Sequence, residues 1–254
     1  MENKHDFIMG RHPVVAALQN QEQSINKLFL QSGLHQQDAT LRQIVQLAKK
    51  RQLVVSTVPK SKLDQLTNHQ NHQGVVLAVA AFRYATLDDL FARAAALHEP
   101  PLFLLLDSIA DPHNLGSMLR TADAAGFHGI IIPKHRAVGL TATVAKTAAG
   151  AIERVPVARV TNLVQTVKEL KERGVWVFGT DLSGTDYRHW DAKGASALII
   201  GSEGSGMAPL LKKQVDEMLT IPMIGKIQSL NASVAAGLVM YRGYDCRHPL
   251  AGEM

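Results

Sequence analysis

The sequence predicts an α/β protein in which a C-terminal, mostly parallel sheet with helices on both faces follows a small N-terminal α/β unit. Three observations carry this expectation. From Leu102 onward, short apolar runs recur with helical stretches mostly between them. These runs are apolar at successive positions, so both faces of each strand need covering, as in a parallel sheet under two helical layers. The first 80 or so residues instead alternate shorter helical and strand-like pieces, a separate small unit.

In chain order, residues 1–80 contain a helix from Pro13, a strand near Lys27 to Leu30 and a helix from Asp38 to Arg51. Leu53 to Thr57 and Gly74 to Ala80 follow as valine-rich strands. From Thr86 to His98, Leu87, Leu90, Phe91 and Ala94 fall at helical spacing, and Pro100-Pro101 stops any helix. Residues 81–100 are therefore read as a connector. Within 101–246 the strands are Leu102 to Leu106, Gly129 to Ile132, Val155 to Val160, Val175 to Thr180, Ala197 to Gly201 and Leu219 to Ile221. Ligands of such sheets bind beyond the carboxyl ends of the strands. The stretch from Asp181 to Gly194 has Ser183, Gly184, Asp186 and Gly194 but no helical period, so a long loop is expected there.

Composition narrows the function classes. The 254 residues are 46% hydrophobic and 19% charged, enough apolar content for a buried core. Lys and Arg total 27 against 22 Asp and Glu, a formal charge of +5 that suits a polyanionic partner. Cys246 is the only cysteine, which excludes an intrachain disulfide and a cysteine-rich zinc cage and fits a reducing compartment. The opening MENKHDFIMGR lacks the apolar stretch of a signal peptide, and no later run approaches the ~18 apolar residues of a membrane span. A cytoplasmic location is expected. His69 and His72 form the one close histidine pair, without an acid or cysteine at metal-ligand spacing, and read as a surface loop.

Three segments carry chemistry. In LLLDSIADPHNLGSMLRTADAAG, Leu104 to Gly126, Asn114 can cap a helix with the stripe Leu115, Met118, Leu119 and Ala122. Arg120 points away from that stripe. On spacing alone, Asn114 is a cap and Arg120 a solvated arginine. In ALIIGSEGSGMAP, Ala197 to Pro209, an apolar strand ends in a glycine-rich loop that lets backbone approach a ligand. Gly201, Gly204 and Gly206 do not give G-x-G-x-x-G, which argues against a nicotinamide-dependent oxidoreductase. Glu203 sits inside the loop, where a turn carboxylate would also be at home. In LTIPMIGKIQSLNASVAAGLVMYRG, Leu219 to Gly243, a strand and loop lead into a helix with Val234, Leu238 and Tyr241 on one face and Gly243 at its close. Ser229 and Asn231 lie at its amino end, where backbone N–H groups are free to bind.

Together these segments resemble the three signature motifs of the SpoU class of RNA 2′-O-ribose methyltransferases. D-P-x-N-x-G-x-x-x-R-T-A runs from Asp111 to Ala122, G-x-E-G-x-G-M from Gly201 to Met207, and I-P-M followed by S-L-N from Ile221 to Asn231. Gly10-Arg11-His12-Pro13-Val14 and Asn71-His72-Gln73-Gly74-Val75 are similar to the 23S rRNA guanosine-2′-O-methyltransferase branch, so the resemblance covers nearly the whole chain. It implies a trefoil-knotted C-terminal domain, a ribosomal-protein-like RNA-binding N-terminal domain and a homodimer with the active site near the subunit interface. It also implies S-adenosyl-L-methionine as methyl donor and 23S rRNA or its assembly precursor as partner. No metal is required for this chemistry.

The resemblance assigns a catalytic cluster to Asn114, Arg120, Glu203, Ser229 and Asn231, and cofactor contacts to Thr180, Gly201, Ile221 and Leu230. In the family the arginine is proposed to activate the 2′-hydroxyl. Guanidinium groups hold their proton to beyond about pH 12, so orienting a phosphate and stabilising an alkoxide suit Arg120 better than base catalysis. Lys49, Lys50, Arg51, Lys60 and Lys62 form a candidate basic RNA surface, with a solvated face as the alternative. Two other outcomes stay open: a transfer RNA guanosine as substrate, and a non-catalytic RNA-binding protein of the ribosome. The second predicts decay of the polar motif residues, and all five are present.

Overall fold

A computed structural model describes residues 5–19, 25–34, 38–80, 82–202, 204–226 and 229–250. Contacts divide the chain into two units, Met1–Arg83 and Tyr84–Met254.

The first unit contains β1 (His5–Met9), α1 (Arg11–Gln19), β2 (Ile25–Gln31), α2 (Ala39–Lys50), β3 (Val54–Val58), α3 (Lys60–Leu66) and β4 (Val75–Ala80). Its sheet runs β1-β4-β2-β3, with β4 antiparallel to both neighbours and β3 parallel to β2. The alternating Val75, Leu77 and Val79 of β4 join Leu28, Val14, Leu18 and Ile44 in one core. Asp38 caps α2 by accepting from Thr40 N (2.8 Å) and Leu41 N (3.2 Å), and also pairs with Arg11. The bond from the Leu41 amide is the first cause holding the Asp38 carboxyl below its ordinary range.

The second unit begins with α4 (Leu87–Ala96), β5 (Leu102–Leu106), α5 (Pro112–Ala124), β6 (Gly129–Pro133), α6 (Ala142–Ala148), α7 (Ala151–Arg154) and β7 (Val157–Val160). It continues with α8 (Leu163–Glu172), β8 (Trp176–Asp186), β9 (Ser196–Ile200), α9 (Pro209–Lys212), β10 (Glu217–Thr220) and α10 (Ala232–Arg247). The six strands run β10-β8-β9-β5-β6-β7 and every pairing is parallel. Phe103, Leu105, Ile131 and Ile199 face a core shared with Leu90 of α4, Val167 of α8 and Leu211 of α9. Leu102, Leu104 and Leu106 point the other way and are equally buried, on the side where α5 packs with α6, α7 and α10. The expected α/β class with a doubly covered parallel sheet is therefore present. Among the described residues no helix is long and apolar enough to cross a membrane.

Several expectations need correction. Residues 81–100 are not a bare connector: α4 buries Leu90 and Ala94 in the second unit, and Ala85 bridges Ala158 of β7. The stretch after Thr180 is not all loop. β8 runs on to Asp186, because its ladder with β10 jumps from Met218↔Gly179 to Leu219↔Thr185 and resumes. A short 3-10 turn at Tyr187–His189 follows.

On α10 the expected apolar face is turned outward. Val234, Leu238 and Tyr241 are 52%, 40% and 47% exposed, while Ala236, Val239, Met240, Gly243 and Cys246 are buried. Gly243 does not end the helix either. It lets the helix lie against Trp190, whose Cζ3 would be 3.1 Å from an added Cβ. Arg242 and Cys246 donate to Trp190 O, and Arg247 donates to Ala192 O, Gly194 O, Pro100 O and Pro101 O. These bonds bind the segment before β9 to the last helix. The His69–His72 loop is only partly at the surface, since His72 is 4% exposed.

Candidate active site

The carboxyl ends of β8, β9 and β10 and the amino end of α10 enclose a cavity of about 330 Å³. Thr180, Gly201, Ile221 and Leu230, the expected cofactor contacts, all line it, and so does Ser229. Thr180 ends the regular part of β8, and its hydroxyl donates to Ile199 O at 3.1 Å, tying two strand ends together.

The glycine-rich loop folds back on itself. Ser202 and Gly206 exchange backbone hydrogen bonds of 3.1 and 2.9 Å, and the Ser202 and Ser205 hydroxyls lie 2.8 Å apart. An added Cβ on Gly201 would sit 2.3 Å from Gly206 C and 2.4 Å from Met207 N. Only glycine permits this closure, so at position 201 backbone faces the cavity, beside Ser202 and Ser205.

A feature absent from the sequence expectation anchors the loop's exit. Asp107, directly after β5, is buried, and its Oδ2 accepts from Ala208 N at 2.7 Å while Oδ1 accepts from the Ser108 hydroxyl at 3.0 Å. The carboxylate thus joins the strand before the first motif to the loop of the second. The available signal was an acid closing a run of five leucine and phenylalanine positions, LFLLLD.

Asn114 is buried and does not cap α5. Asp111 does, accepting from His113 N, with Pro112 opening the helix. Asn114 is free of that duty, and its Oδ1 accepts a hydrogen bond of 3.1 Å from Asn231 Nδ2. Asn231 caps α10 by accepting from Ser233 N (3.0 Å) and Val234 N (3.3 Å). Its carbonyl oxygen holds the helix and its amide nitrogen holds Asn114.

Arg120 lies on the exposed side of α5, without an ion-pair partner among the described residues. Six residues at 100° each turn it about 240° round the helix from Asn114. Glu203 falls outside the described residues, as do Ile227 and Gln228. The structure therefore joins Asn114 to Asn231, sets Ser229 on the cavity wall and leaves Arg120 facing outward.

The one acid on the described wall is Asp181, whose carboxyl is held below its ordinary range chiefly by a hydrogen bond from Lys212. That wall has no lysine, arginine or histidine. Among the described residues, no group of three or more His, Cys, Asp or Glu could hold a metal ion. The candidate basic residues are divided, with Lys49 and Lys50 ending α2 and Lys60 and Lys62 on α3. Arg51 turns inward to donate to Ala17 O and Leu18 O.

The model of the SpoU rRNA methylase family matches residues 101–241, the region that holds this cavity and all three motifs. The chain belongs to that family. Residues 7–85 match the substrate-binding domain of RNA 2′-O-ribose methyltransferases. A Bacillus subtilis protein, YacO, named for the TrmH family of tRNA/rRNA methyltransferases, is 51% identical over 98% of this chain and 99% of its own. A Staphylococcus haemolyticus relative named for the same family is 49% identical over 95% of this chain and 96% of its own.

Among solved structures, the AdoMet-bound rRNA methyltransferase of Sinorhizobium meliloti is 27% identical with a TM-score of 0.60, covering 98% of this chain and 89% of that one. AviRb of Streptomyces viridochromogenes, a SpoU methyltransferase solved with AdoMet, shares the fold at 24% identity and a TM-score of 0.62, over 96% of this chain and 91% of its own. This SpoU protein is an RNA methyltransferase of a class that uses S-adenosylmethionine.

Proposed function

We propose that this protein transfers the methyl group of S-adenosylmethionine to the 2′-hydroxyl of a guanosine in 23S rRNA or its assembly precursor, in the cytoplasm. One observation carries the reading: Thr180, Gly201, Ile221 and Leu230 line one cavity, and the residue that follows Leu230 in the chain is Asn231, the partner of Asn114. The lining suits the donor. Ile200, Ile221 and Leu230 supply apolar surface for a flat base, and among the described residues the wall carries no cation and one carboxylate, Asp181, which Lys212 pairs from outside it. Bound there, S-adenosylmethionine supplies an electrophilic methyl group for in-line attack by a ribose oxygen.

The chain's own residues have the task of positioning. Asn114, Asn231 and Ser229 orient the ribose, and Glu203 acts from the glycine-rich loop. Arg120 grips the substrate phosphate and stabilises the developing alkoxide, whose proton passes to solvent or to a phosphate oxygen. The match of the Gly10-Arg11-His12-Pro13-Val14 and Asn71-His72-Gln73-Gly74-Val75 segments to the 23S guanosine branch favours rRNA over tRNA.

The same reading makes the protein a knotted homodimer. Val234, Leu238, Tyr241 and Tyr244 form an exposed apolar row on α10, a surface that a second copy would cover. Arg120, turned away from its own chain's Asn114, would then serve a site near the subunit interface. Labelled methyl transfer onto unmodified 23S rRNA and onto tRNA tests the substrate. Label is expected in the rRNA, and equal or greater incorporation into tRNA would overturn that assignment.

A further inference from the structure

The N-terminal unit holds a second cavity, of about 450 Å³, where the Thr67–Gly74 loop faces Arg11 and Lys60. Its volume lies within the roughly 300–1,000 Å³ of small-ligand pockets. Six consecutive residues here, Asn68 to Gln73, are all asparagine, histidine or glutamine.

The loop is built as a rigid scaffold. His72 is buried and spends both ring nitrogens inside: Nδ1 accepts from Gly74 N at 2.9 Å, which leaves Nε2 to donate to Asp64 at 3.0 Å. Gln73 is clasped by Arg11, whose backbone N–H donates to Gln73 Oε1 (3.1 Å) and whose Nε donates to Gln73 O (3.4 Å). Thr67 bonds back to Leu63 O, and His69 N donates to Asp64 O at 2.7 Å. Asn68, His69 and Gln73 are all held at positive φ, between 50° and 60°, a conformation that side chains seldom adopt without compensation.

What this scaffold presents is uncharged. His69, Gln70 and Asn71 line the cavity with exposed side chains that make no hydrogen bond of their own among the described residues. The charges nearby are mostly spent, Arg11 on Asp38 and Asp64 on His72, which leaves Lys60 at the rim. Side-chain amides offer a donor beside an acceptor, the pattern that pairs with a base edge, and an imidazole offers a face for stacking. A phosphate site would instead show free cations and backbone N–H groups.

We propose that this cavity takes one unstacked nucleobase of the RNA substrate, its edge read by the Asn71 and Gln70 amides with His69 against its face. The proposal rests on the RNA methyltransferase reading and deepens it. It assigns to the substrate-binding domain a base-reading pocket in addition to any phosphate contacts.

The test uses the full-length protein and short single-stranded RNA homopolymers of each base, with binding read by fluorescence anisotropy across a salt series. The double variant Gln70→Ala/Asn71→Ala is expected to lose at least about fivefold in affinity for one or two homopolymers, with the slope of log K against log salt unchanged. Asn71→Asp, which keeps the side chain's shape but removes the donor, is expected to shift the base preference. Unchanged thermal stability and unchanged S-adenosylhomocysteine binding show that both variants fold. Equal loss for all four bases, a reduced salt slope or no loss would each overturn the pocket. If the wild-type enzyme transferred no methyl group to RNA, the functional reading would fail; if it does and the variants bind as the wild type does, this proposal alone fails.

Discussion

Asn231 donates its side-chain amide to Asn114 Oδ1 at 3.1 Å, joining the amino ends of two helices across 117 residues of sequence. One side chain thereby both caps α10 and fixes a buried residue of the first motif. The two roles use different atoms of the amide, and substitution can separate them.

Asn231→Asp keeps the oxygen that caps Ser233 and Val234 but removes the donor to Asn114. A small change in stability and a large loss of methyl transfer are expected, about a hundredfold if the pair positions the ribose. Asn231→Ala removes the cap as well, which costs a further ~1 kcal/mol in chemical denaturation. Equal activity in wild type and Asn231→Asp would show that the contact is only structural.

Gly201→Ala places a methyl carbon against Gly206 C and Met207 N, both backbone atoms that cannot swing aside. The loop must open. A loss of about 1–3 kcal/mol in stability is expected, together with weakened S-adenosylhomocysteine binding by calorimetry. Gly204→Ala, with open space around its Cβ, serves as the control.

Arg120 is exposed and touches no described part of the cavity wall, so Arg120→Ala should leave S-adenosylhomocysteine affinity unchanged while methyl transfer collapses. Arg120→Lys keeps charge but loses the planar fork. Single-turnover assays should show it well below wild type; near-full turnover would contradict a requirement for two-point phosphate contact.

His128 links acidity to stability. Its ring is buried, Nδ1 accepts from Leu102 N at 2.9 Å and Nε2 faces Glu99 at 3.2 Å. Burial, more than Glu99 can offset, pushes its pKa below the ordinary 6.5. The unfolded chain therefore binds a proton that the folded one resists, so this contribution is complete above pH 6.5 and fades as pH falls through the lower folded value. Melting temperature should decline over that window, and His128→Gln should flatten the decline. Asp186, held at about 2 chiefly by a hydrogen bond from Arg188, acts only at far lower pH.

A charged residue on the outer face of α10, in Leu238→Glu or Tyr241→Glu, should yield monomers in sedimentation with little loss of melting temperature. A wild-type protein that sediments as a monomer at assay concentration would remove the homodimer from the account.

The parallel sheet was readable because its strands are apolar on both faces and short. β5, LFLLL, admits no other covering. That Thr180, Gly201, Ile221 and Leu230 share one cavity was readable because glycine and proline mark where those strands stop. α10 defeated periodicity: its buried face mixes Ala236 and Gly243, the latter packed against Trp190, with Val239 and Met240, while Val234, Leu238 and Tyr241 point outward. The extension of β8 escaped because its pairing with β10 skips from Gly179 to Thr185, and no local pattern encodes a skip set by a partner strand. Asp111 took the cap expected of Asn114 because Pro112 fixes the first helical position. Asp107 was missed because its partner, Ala208, lies 101 residues away.

The most direct measurement of the central claim is nucleoside mass spectrometry of unmodified 23S rRNA after incubation with the protein and isotope-labelled S-adenosylmethionine. Label is expected in a single 2′-O-methylguanosine, and is expected to be lost in Asn114→Ala. Label on a nucleobase, or none in RNA while S-adenosylhomocysteine still stabilises the fold, would contradict it.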